Sequence, residues 1–161
     1  IFADMFALPP SDSNESYERR PCIQMPDSAE DLEAVLRLLY YETTLSLERL
    51  DPKTPSIVDP ILSIATKYEI RVLREPIIKQ LTEDWPTTLK AWDVLEKEIA
   101  VMLKAAYDDP VVFIMDDHLP EPVSAIRLAY KCGVPTILPA AFYHLSRLPM
   151  RWDRTELKTI G

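Results

Sequence analysis

Residues 57–81 read IVDPILSIATKYEIRVLREPIIKQL, and this stretch carries the clearest structural signal of the chain. Its apolar residues return every three or four positions in two runs, which is the period of amphipathic α-helices. We predict that Ser56 caps the first helix and that the second helix covers residues 72–84. Pro76 falls near the first turn of the second helix, where proline is tolerated best.

The same period appears on both sides of this stretch. Upstream, Ser28 is followed three residues later by Asp31, a variant of the capping box, and a predicted helix runs from there through Tyr40. The residues expected to form its apolar stripe are Leu32, Val35, Leu36 and Leu39. Downstream, the spacing predicts helices over residues 87–107, 122–131 and 136–148.

Prolines and glycines limit where other elements form. Pro122 suits the first position of its helix, and Gly133 suits the left-handed residue that ends it. Residues 22–25, CIQM, are compatible with a strand, but the prolines on either side restrict it to an edge strand. Residues 1–8 are expected to form a short helix and residues 11–20 a polar loop. The predicted fold class is therefore mostly α, of the α+β type, with one or two short strands.

The amino-acid composition and net charge exclude several classes of protein function. The 161 residues argue for one domain or one and a half, and an apolar fraction of 47% is enough to build a core. Eighteen basic against 26 acidic residues give a net charge of 18 − 26 = −8, which disfavours nucleic acid as a partner. With only two glycines, the chain lacks the glycine-rich loops that bind nucleotide phosphates. No apolar run is long enough to span a membrane, so no membrane partner is expected.

The two cysteines, Cys22 and Cys132, lie far apart and form no CxxC pair. Neither a zinc site nor a disulfide framework follows from this spacing. We therefore expect both thiols to be free and the chain to lie in a reducing compartment inside the cell, in the cytoplasm or the nucleus.

Candidate catalytic groups are few. Asp116, Asp117 and His118 stand next to each other, and Asp108 and Asp109 precede them, so a metal-dependent enzyme is one hypothesis. The simpler interpretation is that these residues solvate a helix end and the loop after it.

His144 is also considered as the base of a nucleophilic site, with Ser146 or Cys132 as the nucleophile, but neither pair suits this role. His144 is only two residues from Ser146 on a predicted helix, so the two side chains point in different directions. Cys132, the other nucleophile considered with His144, lacks a glycine turn of the oxyanion type. We predict no enzyme, no cofactor and no catalytic residue.

Longer segments resemble BTB/POZ domains. The resemblance rests on FADMF at residues 2–6 and on IQMPDSAEDLEAVLRLLY at residues 23–40. Residues 57–81 are similar to the paired helices that close that fold, with residues 64–68, IATKY, matching its LAxKY core. The stretches WPTTL, WD and LPAAFYHLSR, which start at residues 85, 92 and 138, are similar to the helical extension of BTB proteins expanded in mushroom-forming fungi.

This resemblance implies a partial BTB/POZ domain at residues 1–86, its C-terminal, helical part, and a helical extension at residues 87–161. It also implies a protein–protein interaction module that self-associates and recruits partners, as an adaptor or a transcriptional cofactor. The family's opening strand pair and first helix, which supply much of its homodimer contact, have no counterpart in this sequence. The family's usual glycine after "LY" is replaced by Tyr41 and Glu42.

The resemblance also places the partner-binding residues. They are Met25, Asp27, Ser28, Tyr40 and Tyr41, which lie in and after the loop that precedes the "LY" helix. BTB domains that bind cullin-3 present an apolar side chain in this loop. Here the loop reads PDSAE at residues 26–30, so we predict weak or no binding to cullin-3.

Overall fold

A computed structural model describes residues 7, 16–18, 20–21, 25–40, 45–107 and 118–148. Its elements, in chain order, are the strands β1 (Ser16–Tyr17) and β2 (Arg20–Pro21) and the helices α1 (Ala29–Tyr40), α2 (Thr54–Lys67), α3 (Arg71–Asp84), α4 (Leu89–Tyr107), α5 (Pro122–Cys132) and α6 (Leu138–Arg147). A 3-10 turn, Pro135–Ile137, leads into α6. The predicted mostly helical class is confirmed.

The strands differ from the prediction. β1 and β2 form an antiparallel hairpin in which Tyr17 pairs with Arg20, inside the segment predicted as a polar loop. Glu18 has a φ of +49°, the left-handed conformation that tight hairpin turns require. A strand of two residues is too short to carry an alternating apolar pattern, so no local signal predicts these strands. Of the predicted strand at residues 22–25, only Met25 is described, and it is not in a strand; the predicted helix at residues 1–8 lies outside the described residues apart from Ala7.

Two helices begin as predicted. The Ser28 hydroxyl accepts a hydrogen bond from the Asp31 N–H at 3.0 Å and so caps α1. Pro122 opens α5, and Gly133 ends it with a φ of 65°. The cap of α5 was not predicted: the Glu121 carboxylate accepts from the backbone N–H groups of Val123 and Ser124 at 2.9 and 2.6 Å.

The predicted cap of α2 is wrong. Helix α2 begins at Thr54, and the Ser56 hydroxyl instead donates to the Lys53 carbonyl oxygen at 2.8 Å. Pro55 lies in the first turn, where its missing N–H costs no helical hydrogen bond, so the helix can start before Ser56. The Thr54 N–H donates to the Asp51 carbonyl oxygen at 3.0 Å.

Helix α2 is the centre of the fold. It packs against α1, α3 and α5, and α5 packs against α6. The largest side chains that are almost fully buried in this main core are Leu62, Ile77, Leu81, Trp85, Leu128 and Ile137. Since α5 and α6 share this core with α2, the predicted extension and the predicted BTB part are packed together.

Helix α4 is attached differently. It forms a small second core in which Leu95 and Ile99 pack with Leu50 and Leu119, each at most 5% exposed. Among the described helices, α1, α2, α3, α5 and α6 each pack closely against at least one neighbour. The backbone of α4 does not come this close to any of them. Side chains make the contacts between α4 and the other described elements. None of the described helices is long and apolar enough to cross a membrane.

The C-terminus of α2 yields the first prediction. Glu69 has a φ of +55°, and the Ile70 N–H donates to the Ala65 carbonyl oxygen at 2.8 Å, as in a Schellman motif. Glycine usually fills this left-handed position, which costs other residues about 1–2 kcal/mol. We expect Glu69→Gly to raise the free energy of unfolding by about 0.5–1 kcal/mol, after the greater freedom of glycine in the unfolded chain is subtracted.

Urea unfolding measures this change. Glu75→Gly is the matched control, because Glu75 is exposed inside α3 and the same substitution there should cost about 1 kcal/mol. Equal effects of the two substitutions would contradict the argument from φ.

Candidate interaction surface

Asp27, a predicted partner-binding residue, is used within the fold. Its carboxylate accepts a hydrogen bond from Lys67 Nζ at 2.6 Å and another from the Tyr68 hydroxyl. The side chain of Asp27 is only 10% exposed. The hydrogen bond from Lys67 is the main cause that lowers the pKa of Asp27 below its usual value. Asp27 therefore fastens the loop before α1 to the end of α2.

The other predicted partner-binding residues divide into two groups. Met25 is half-buried against the main core, and the Ser28 hydroxyl caps α1. Tyr40, by contrast, is 77% exposed at the end of α1. Tyr41 lies outside the described residues.

The solvent-facing side of α1 carries large apolar side chains that are not buried in the core. Of the four residues predicted as its apolar stripe, only Val35 is buried, while Leu36 and Leu39 are each 42% exposed. A shallow groove of about 490 Å³ runs along this face. We call its lining the α1 surface; it consists of Ala29, Leu32, Glu33, Leu36, Arg37 and Tyr40. An ion pair between Glu33 and Arg37, at 2.6 Å, lies on it.

A second groove, of about 370 Å³, lies between α1 and α3. Its lining is Leu38, Leu45, Leu47, Val72, Leu73, Pro76, Ile77 and Gln80. Pro76 has no N–H, so the Val72 carbonyl oxygen lacks its usual partner one turn later in α3. Apart from this carbonyl and the Gln80 amide, the lining side chains are apolar, and none of them is suited to catalysis.

Of the five candidate metal ligands, only His118 lies among the described residues, so the metal-site hypothesis stays a prediction. His118 is exposed, whereas Asp108, Asp109, Asp116 and Asp117 lie outside the described residues. Among residues 16–18, 20–21, 25–40, 45–107 and 118–148, no three His, Cys, Asp or Glu residues cluster in a way that would hold a metal ion.

The residues considered for nucleophilic catalysis have structural roles. His144 is buried, with its ring centroid 5.5 Å from that of Trp85. The Ser146 hydroxyl donates to the Tyr143 carbonyl oxygen at 2.7 Å. Cys132 is a free thiol whose sulfur lies 3.7 Å from Ser63 Oγ.

Burial raises the pKa of the Cys132 thiol, which is 1% exposed. A thiol with a raised pKa and no access to solvent reacts slowly, because the thiolate is the nucleophile. We expect Cys132 in a Cys22→Ser variant to react with a thiol reagent only as fast as the native fold opens. Reaction should be complete within the mixing time in denaturant. Fast labelling of the folded variant would show that Cys132 is accessible.

Comparison with protein-family models, with curated proteins and with solved structures gives no match for this chain. The described residues present an exposed apolar face on α1 that carries one ion pair.

Proposed function

We propose that this chain is a protein–protein interaction module of the BTB/POZ type, which self-associates and recruits a partner as an adaptor or transcriptional cofactor. The observation that carries the proposal is the α1 surface, where Leu36 and Tyr40 lie one turn apart and are both exposed. Leu39 extends the apolar area along the same helix.

The composition of this surface suits binding. Tyrosine is among the residues that most often dominate the binding energy of interfaces, and an apolar neighbour excludes water around it. Burial of the exposed apolar area of Leu36, Leu39 and Tyr40 favours association by roughly 25 cal/mol per Å². Glu33 and Arg37 form a polar border that sets the orientation of a partner more than its affinity.

The loop before α1 supports the prediction of weak or no cullin-3 binding. Met25 packs inward and Asp27 is held by Lys67, so neither side chain projects as an apolar anchor. Calorimetry with the N-terminal half of cullin-3 tests this point. A submicromolar affinity that is lost on substitution of Asp27 or Ser28 would restore a ligase-adaptor role.

Sedimentation equilibrium of the full chain tests the proposed function. We expect the wild type to self-associate and Leu36→Ser/Tyr40→Ser to be monomeric at the same concentration. The matched control is Ile57→Ser/Tyr130→Ser, since these residues are 42% and 68% exposed on α2 and α5. Equal self-association of wild type and the α1 variant, with both folded by circular dichroism, would refute a role of the α1 surface.

A further inference from the structure

Helix α4 carries a second unpartnered face. Positions 90, 94, 97, 101 and 104 follow the 4–3 spacing of residues that share one side of a helix. They alternate between lysine and valine, and we call them the α4 stripe: Lys90, Val94, Lys97, Val101 and Lys104. All five are exposed, with Val94 at 48% and Val101 at 69%. The stripe points directly away from the inward side of α4, where Leu95 and Ile99 are buried.

The charge of the α4 stripe is opposite to that of the chain. The net charge is −8, yet the stripe itself contains three lysines and no acidic residue. The nearby acidic side chains of Glu96 and Glu98 are engaged by Arg147 and Arg49. None of the three lysines forms an ion pair with any residue that the structure describes. Asp93 is exposed at the edge of the stripe and offsets part of its charge.

Two α4 stripes do not suit each other, because packing them together would bring lysines close to lysines. The α1 surface fits better. Ala29, Glu33, Leu36 and Tyr40 have the same 4–3–4 spacing, so knobs on one helix meet holes on the other. Glu30, which is exposed in the first turn of α1, adds negative charge at this end of the helix.

We propose that the α4 stripe binds the α1 surface of a second copy of this chain. This inference rests on the proposed function, since it names the partner of the α1 surface. Val94 and Val101 contact the apolar part around Leu36 and Tyr40, while a lysine at one end of the stripe faces the acidic first turn of α1. The contact joins different faces of two copies, head to tail, and it either closes reciprocally in a two-fold dimer or propagates into a larger ring or an open chain.

The size of the two faces sets the expected affinity. From residue 90 to residue 104 the stripe is about 21 Å long, and α1 is about 17 Å long, at about 1.5 Å per residue. One helix pair of this length covers less area than a standard stable interface. Association is therefore expected in the micromolar range and should weaken as salt screens the charges.

A mixing experiment tests the head-to-tail contact. The α1 variant is Leu36→Ser/Tyr40→Ser, and the α4 variant is Lys97→Glu/Lys104→Glu. Each is expected to be monomeric alone at about 100 μM, with self-association at least about tenfold weaker than wild type. Mixed in equal amounts they should form a 1:1 heterodimer and nothing larger, because the mixture contains one intact α4 stripe and one intact α1 surface per pair.

Two further variants control for charge. Lys53→Glu/Lys79→Glu makes the same change of charge at exposed positions of the loop before α2 and of α3, and it should self-associate like the wild type. Combining Glu33→Lys with Lys97→Glu in one chain should restore association relative to Lys97→Glu alone. If the control variant also dissociates, or if the two monomeric variants do not pair, the head-to-tail contact is refuted.

The remaining outcomes separate this inference from the proposed function. If the α1 variant is monomeric while the α4 variant self-associates like the wild type, the proposed function stands and the α4 stripe is not its partner. If the α1 variant still self-associates, both are refuted. A wild type that stays monomeric at about 100 μM but binds vesicles of anionic lipid would assign the stripe to a membrane surface and overturn the inference.

Discussion

Replacing Trp85 by alanine is expected to lower the free energy of unfolding by about 3–5 kcal/mol. Trp85 is 1% exposed at the end of α3, and its ring centroid lies 5.5 Å from that of His144 on α6. Its indole therefore fills the space between α3 and α6, and alanine would leave a large cavity there. Urea unfolding followed by far-ultraviolet circular dichroism measures the loss.

Trp85→Phe is the matched variant. It keeps an aromatic ring and removes the indole Nε1, which is buried without a hydrogen-bond partner within the described structure. Since no hydrogen bond is lost, we expect Trp85→Phe to cost much less than Trp85→Ala, about 1–2 kcal/mol, from the smaller volume alone. A loss below about 1 kcal/mol for Trp85→Ala would show that the α3–α6 contact is not tightly packed.

Replacing Asp84 by alanine is expected to cost about 1–3 kcal/mol, because it leaves a buried donor without a partner. Asp84 is 1% exposed, and its Oδ1 accepts from the Leu50 N–H at 2.9 Å and from Gln80 Nε2 at 3.1 Å. Leu50 has a φ of +63° and belongs to the small core of α4. Asp84→Asn keeps the oxygen that faces the Leu50 N–H, so it should cost less than Asp84→Ala.

The pH dependence separates the charge of Asp84 from its hydrogen bonds. Burial raises the pKa of Asp84 above its usual value, although the hydrogen bonds from Leu50 and Gln80 act against this. Between the ordinary value of about 3.9 and the raised value, the folded state binds more protons than the unfolded state. Stability due to Asp84 therefore falls as the pH rises through this window.

Unfolding of wild type and Asp84→Asn across this pH range measures the effect, since their difference cancels the other carboxylates. We expect the free energy of unfolding of the wild type, relative to that of Asp84→Asn, to decrease as the pH rises through this window. A pH-independent difference, or one of opposite sign, would show that the carboxylate is not penalised by burial.

The sequence was informative wherever a local rule decides the structure. The apolar period predicted α1 to α6, and the proline and glycine rules located both ends of α5 at Pro122 and Gly133. The cap of α2 was predicted wrongly because Pro55 fits the first turn of that helix, so the helix begins at Thr54, before Ser56. The hairpin of β1 and β2 was missed because two-residue strands leave no periodic pattern.

The candidate surface depended on contacts that no local rule reveals. Asp27 and Lys67 are 40 residues apart, so their ion pair could not be deduced from spacing. The apolar stripe of α1 was predicted correctly as a pattern, but only the packing of α1 on α2 decides that Leu36 and Leu39 face outward. In α4, the inward residues such as Leu95 follow the apolar period, whereas no local rule distinguishes the lysine and valine spacing on the opposite side from an ordinary solvated helix face.

The way in which α4 is attached has a consequence for the cooperativity of folding. Its small core of Leu50, Leu95, Ile99 and Leu119 is joined to the main core through Trp92, which packs against both and lies edge-on to Tyr143 at 5.1 Å. Few buried contacts hold an element of this kind, so it can detach while the rest of the domain remains folded. The amide protons of α4 should then exchange with solvent through a local opening, at a lower free energy than those of α2. Assembly through the α4 stripe would slow this exchange, because a neighbouring copy would hold in place the least strongly anchored helix of the fold.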